Sequence, residues 1–255
     1  MNKKVIINAD DFGYTPAVTF GIIEAFNKGI VSSTTALTVS PFFKEAMKHR
    51  DAIAPALPVG LHLTLTLNQG TPLIGQTRGT SFLKEDGTFL HRRTLEERLQ
   101  NGEIDLSAVA DEWEAQFLAF LDSGHLPTHL DSHHHIHRLD GLFEIAVGLA
   151  KKYNLPMRAV AKTDDAVRFP SRTYVDFYDS GVSLDTLAFI FNDIATAETV
   201  VIGELSVHPS FVENRLSALT EYATPRLKEL DLLTSTEAKN LLKSSHLILT
   251  DFRAV

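Results

Sequence analysis

Five histidines and one aspartate fall within ten residues, Thr128-His129-Leu130-Asp131-Ser132-His133-His134-His135-Ile136-His137, and six of the chain's eleven histidines lie between His125 and His137. Neutral imidazole is the commonest side-chain ligand for zinc and its neighbours, so this density points to a metal. The run is internal and flanked by apolar residues, unlike an expression tag. Strand periodicity puts His129, Asp131, His133, His135 and His137 on one side. The strand is expected to end inside the run, leaving one or two imidazoles for any one ion. A helical reading places His133 and His137 four apart, as in a zinc-protease helix, but His134 stands where that motif needs its glutamate. The remaining ligands must come from elsewhere in the chain.

Asn8-Ala9-Asp10-Asp11-Phe12-Gly13 ends the first expected strand, where an α/β barrel carries its reactive groups. Neighbours on a strand point to opposite sides, but at a strand end both carboxylates can reach one pocket by different routes. That arrangement suits one ligand and one base better than two equivalent ligands. The plainer alternative, that Asp10 and Asp11 cap the following turn and helix, stays open for the pair alone. His62 lies opposite Leu61 and Leu63 in an apolar alternation; alone it would read as a hydrogen-bonded core residue, and the other strand ends make it a ligand candidate. His208 is followed by Pro209, which stops a strand and fixes how the imidazole is presented. Arg158, after Leu155-Pro156-Met157, reads as a buried cation that needs a carboxylate and is expected to hold one of the aspartates. Trp113 and Phe117, four apart on one helix, read as core.

The elements that must position these groups alternate. Strands are expected at 5–10, 33–39, 59–65, 129–133, 157–160, 201–207 and 247–249, and helices over 18–26, 42–49, 106–123, 142–153 and 184–195. Strand, helix, strand alternation marks a parallel sheet with crossover helices. Residues 68–93, with four glycines and no clear period, read as a long excursion beside the site. No repeat or domain boundary stands out, so residues 1–255 are expected to form one α/β barrel with fewer than eight strands.

Composition narrows the function. A 44% apolar and 22% charged chain has a substantial core. A net charge of −8 without a run of Lys and Arg disfavours nucleic acid. There are no cysteines, so a metal must be held by His, Asp or Glu. The apolar run Val5-Ile6-Ile7 is too short for a signal-peptide core and no segment approaches a membrane span, which makes the cytoplasm the expected compartment.

Together, Asn8-Ala9-Asp10-Asp11-Phe12-Gly13, Gly60-Leu61-His62, the histidine run and His208-Pro209 resemble the YdjC-like family of carbohydrate deacetylases, which includes bacterial chitooligosaccharide (diacetylchitobiose) deacetylases. The likeness continues through Gly21-Ile22-Ile23-Glu24-Ala25, Ser33-Thr34-Thr35-Ala36-Leu37 and Pro225-Arg226-Leu227-Lys228-Glu229-Leu230-Asp231. It implies a deformed (β/α) barrel and one divalent metal ion, Mg or Zn, held by Asp11, His62 and His133. Asp10 is then the general base and His208 the general acid, while Asp131 and the remaining histidines are left as supports, substrate contacts or bystanders, with Asp131 and Arg158 the supporting candidates. The implied substrate is a small amino sugar, an N-acetylglucosamine di- or oligosaccharide with or without a phosphate, and a homodimer is expected. Residues 68–93 and 163–183 match the family least and are expected to shape substrate choice.

Three other readings compete. Two histidines and a carboxylate also suit a non-haem iron oxygenase, which calls for an antiparallel jelly roll rather than this alternation. A glycoside hydrolase on the same barrel needs two opposed carboxylates on separate elements, and an Asp pair stands out on only one. A non-catalytic sugar- or metal-binding protein has no use for a free base beside its ligands, so Asp10 discriminates against it.

Overall fold

Val5, Ile6, Ile7 and Ala9 are fully buried, and this apolar run makes the first strand the middle of the sheet. The computed structural model describes residues 3–255. Strand β1 (Lys4–Phe12) leads into helix α1 (Pro16–Lys28), whose start is fixed by the Thr15 hydroxyl accepting from the Val18 amide and by Pro16 in its first turn. Strand β2 (Ser33–Ala36), helix α2 (Phe43–Ile53) and strand β3 (Val59–Leu63) follow. Helices α3 (Gln76–Gly79), α4 (Arg92–Gln100) and α5 (Leu106–Leu121) separate β3 from β4 (Leu130–Ser132). Then come α6 (Leu142–Tyr153), β5 (Arg172–Tyr174), α7 (Leu184–Thr196), β6 (Ile202–Val207), α8 (Asn214–Leu219), α9 (Thr224–Thr234), α10 (Thr236–Ser244) and β7 (Ile248–Thr250).

All seven strands pair in parallel, in the order β4-β3-β2-β1-β6-β5. Strand β7 pairs with the first half of β1, at Lys4 to Ile6, while β2 pairs with its second half from Asn8 onward. The sheet curls into an open, deformed (β/α) barrel, as the alternation implied for the barrel and the family resemblance for its deformation, with the C-terminal ends of β1, β3, β4 and β6 at one mouth. Among the described residues no helix is long and apolar enough to cross a membrane.

The expected strand at 157–160 is reduced to one bridge between Met157 and Leu130, and the edge strand forms instead at Arg172–Tyr174. Segment 68–93 is not wholly irregular. It contains α3, a bridge between Leu83 and Phe89, and the first two residues of α4. Phe82, Leu83, Phe89 and Leu90 bury there as two adjacent pairs, with neither a sustained strand alternation nor a continuous helical stripe between them, so periodicity alone could not show that it packs. Helices α8, α9 and α10 were likewise not expected; α9 buries Arg226 and Glu229 beside Leu230 and Leu233, which blurs its apolar stripe.

Candidate active site

Between Ala9 and Phe12 strand β1 advances three residues while its partner β2 advances two, from Thr34 to Ala36. The extra residue is a β-bulge, and within it Asp11 adopts φ 75. This backbone is rare for a residue with a side chain and is the kind of strain that persists at functional sites. It turns Asp10 and Asp11 into the same pocket. The sequence placed this reorientation at the strand end; the strand in fact continues to Phe12, and the bulge does the work.

Asp10 is enclosed by donors. Arg158 gives one hydrogen bond of 2.7 Å to each of its oxygens, Asn8 Nδ2 donates to Oδ1 at 2.9 Å and Ser206 Oγ to Oδ2 at 3.1 Å. Burial alone would raise its pKa, but the Arg158 guanidinium overrides this and holds the carboxyl well below the usual carboxylate range. Arg158, itself fully buried, also meets Glu204 at 2.7 Å and Asp131 at 3.1 Å. Arg158, the cation singled out in the sequence, thus pairs with Asp10, with two further acids in the same cluster.

Asp11 divides its two oxygens. Arg226 donates to Oδ2 at 2.7 Å, while Oδ1 faces His133 Nδ1 at 2.8 Å and His62 Nε2 at 3.3 Å. Burial again opposes ionisation, and His133 and Arg226 hold the carboxyl well below its ordinary value. Behind His62, Nδ1 lies 2.7 Å from Asp131 Oδ1 and 2.9 Å from the Thr35 hydroxyl. Burial would lower the His62 pKa, but Asp131 and Asp11 push it up to about 10. A carboxylate behind the distal imidazole nitrogen is the usual backing of a metal-ligating histidine.

Asp11, His62 and His133 each present a ligand atom within 4.8 Å of the others. One carboxylate and two imidazoles, oriented from behind and set beside a pocket, fit a divalent ion with coordination positions to spare. A second trio, Asp10, His62 and Asp131, satisfies the same distance, but the Arg158 guanidinium already sits between its two carboxylates and excludes a cation.

The histidine run resolves into separate environments. The strand stops at Ser132, and His134 and His135 then take φ 56 and φ 55, so a tight turn carries His133, His134 and His135 to the pocket wall. Strand periodicity does not survive this turn. His137 is withdrawn and paired with the Ser132 hydroxyl. His129 is buried and stacked on Phe252 with ring centroids 3.5 Å apart. Its ring also explains Gly60, where a Cβ would lie 2.4 Å from His129 Cε1.

His208, at the end of β6, reaches the same pocket with Nε2 4.0 Å from Asp10 Oδ2. Burial, assisted by Arg226, pushes its pKa down to about 4. The pocket holds about 350 Å³, and Asp10 and Asp11 are its only carboxylates among the described residues. Asn68 and Arg92 come to its wall from one of the segments expected to shape substrate choice, and Val175 and Tyr178 from the other. Residue-by-residue reading assigned no role to Arg226, Tyr222 or Glu229. An Arg and a Glu three apart among the leucines of α9 were the available signal, because charges on a buried face need partners.

The "YdjC-like protein" family model matches residues 4–244. A carbohydrate deacetylase of Enterococcus faecalis (strain ATCC 700802 / V583) is 40% identical, covering 100% of this chain and 98% of its own. A crystal structure from E. faecalis V583, assigned provisionally to cellobiose-phosphate cleavage, superposes with a TM-score of 0.94 at 39% identity, covering 100% of this chain and 99% of that one. A CE4 esterase of Streptococcus mutans shares the fold, at a TM-score of 0.56 and 12% identity over 98% of this chain and 86% of its own. With a family match over nearly its whole length and a full-length relative at 40% identity, the chain belongs to the YdjC-like family.

Proposed function

We propose that this chain is a carbohydrate deacetylase that hydrolyses the acetamide of N-acetylglucosamine-containing di- or oligosaccharides to acetate and a free amine. The observation that carries this reading is the trio Asp11, His62 and His133 beside a separate, clamped carboxylate, Asp10, in one pocket. Carbohydrate deacetylation is the activity named for the relative from E. faecalis.

Asp11, His62 and His133 hold one divalent ion, which when bound polarises a carbonyl and lowers the pKa of water. Zinc or magnesium is the expected metal, and the two imidazoles favour zinc. Arg158 fixes both oxygens of Asp10, so this base is aimed rather than mobile, and Oδ2 takes the proton of the attacking water. The same donors keep its proton affinity low, so the proton passes on to the neutral His208 Nε2. His208 Nε2, 4.0 Å from that oxygen, passes a proton to the departing amine. Burial keeps the imidazole neutral until it collects one. Arg226 keeps Oδ2 of Asp11 occupied and Oδ1 turned to the histidines.

The whole chain acts as one catalytic domain in this reading, a cytoplasmic homodimer is its expected form, and light scattering checks the oligomer. The decisive experiment couples metal analysis of the purified protein to acetate release from N-acetylated chitobiose, with and without a phosphate. Acetate without chain cleavage is expected. Full metal occupancy with no acetate from either substrate would overturn the proposed substrate class.

A further inference from the structure

Helix α9 sends two buried charged side chains toward the site: Arg226 to Asp11, and Glu229, which is fully buried. Glu229 Oε2 accepts the backbone N–H of His208, and Oε1 accepts the Tyr222 hydroxyl at 2.6 Å. The Tyr222 oxygen in turn accepts the backbone N–H of Asp179 at 2.9 Å. Asp179 has φ 51, in the left-handed region that aspartate tolerates. The Tyr222 ring stacks on Tyr178 at 3.9 Å and 10°, and the His208 imidazole stands edge-on to both rings. One carboxylate thus ties the end of β6, the connection between α8 and α9, and the loop after β5.

A buried carboxylate is a poor way to fill space, because its desolvation exceeds what an apolar side chain would cost. Here burial pushes the Glu229 carboxyl up to about 7, and its hydrogen-bond partners are two neutral groups. His208 shows what the arrangement supplies. Its Nδ1 is buried with no hydrogen-bond partner, so no side chain orients the ring from behind, as a third group usually does for a catalytic histidine. The ring's direction comes from its backbone, from Pro209 and from the two tyrosine faces.

We propose that Glu229 is a positioning residue that aims His208 Nε2 at the Asp10 side of the pocket, with Tyr222 extending the same restraint to the loop that carries Tyr178. This rests on the reading of His208 as the proton donor. The test measures acetate release by Glu229→Gln, Glu229→Ala and Tyr222→Phe, each in the wild-type and His208→Ala backgrounds, with metal content and thermal unfolding alongside. Glu229→Gln is expected to lower kcat about tenfold and Tyr222→Phe about threefold, with KM within about twofold and metal content retained. In the His208→Ala background each should cost less than about twofold more, because residues acting through one group are not additive. Full kcat in Glu229→Gln, or an undiminished loss on top of His208→Ala, overturns the proposal. Full kcat in His208→Ala alone instead overturns the reading of His208, and this proposal with it. If Glu229→Ala does not fold, the Gln and Phe variants decide the matter.

Discussion

Asp10 and Asp11 are adjacent in sequence, yet different arginines from distant parts of the chain hold them: Arg158 grips both oxygens of Asp10, and Arg226 takes one oxygen of Asp11. Asp10 is thereby ringed by donors and faces the pocket, whereas Asp11 keeps Oδ1 turned to two imidazoles. The bulge at Asp11 makes this division possible. Two identical side chains thereby acquire different environments, as the proposed roles of base and ligand require.

Asp10→Asn should separate those roles. Turnover is expected to fall by about 10²–10⁴-fold, the usual worth of a general base, while metal content stays at the wild-type level. Steady-state acetate release and metal analysis of the same preparation check this, and normal turnover would remove Asp10 from the mechanism.

Chelation should abolish acetate release, and one equivalent of zinc or magnesium should restore it. Asp131→Asn, which removes the charge behind His62, is expected to weaken metal binding about 10–100-fold, as outer partners of metal ligands do. Calorimetric titration of the metal-free protein measures this, and unchanged affinity would mean that Asp131 does not support the metal site through His62.

Arg158→Met should be the most destabilising change at the site. It leaves Asp10, Asp131 and Glu204 buried without their common cation, and losing one partner of a buried ion pair costs about 3–5 kcal/mol. Urea unfolding of the metal-free protein gives the value, and wild-type stability would contradict it.

The histidines make a pH signature. His129 and His137 are fully buried, and burial holds both well below 6.5; His134 is pushed down to about 2, first by His133 and then by burial. For such groups the unfolded chain binds more protons below 6.5, so native stability falls as the pH falls from there. At pH 5 each fully neutral histidine contributes about 2 kcal/mol of this loss. His62 has the opposite sign, its contribution being complete below 6.5 and lost as the pH rises through about 10. Unfolding of the metal-free protein at pH 7 and pH 5 should show lower stability at pH 5, and a smaller difference in His137→Asn. An equal difference in that variant would place His137 outside the effect.

Sequence alone determined the chemistry available and the class of scaffold. The cluster from His129 to His137, the Asp10-Asp11 pair, His62 and His208 are types and spacings readable without a structure, and the alternation of strands and helices implied a parallel sheet. Both depend on neighbours along the chain, where side-chain period and turn residues act. Tertiary structure decided which imidazole does what. His129 is buried behind Gly60, His137 is tied to Ser132, and His133 faces Asp11, although strand periodicity put all three on one side. The left-handed backbone of His134 and His135 ended that periodicity beyond His133, and long-range contacts must sustain it. Arg158, Arg226 and Glu229 acquired their places when curling of the sheet brought β1, β6, α9 and the segment after α6 together. Partners 148 and 215 residues apart, as for Asp10 with Arg158 and Asp11 with Arg226, leave no local period to read.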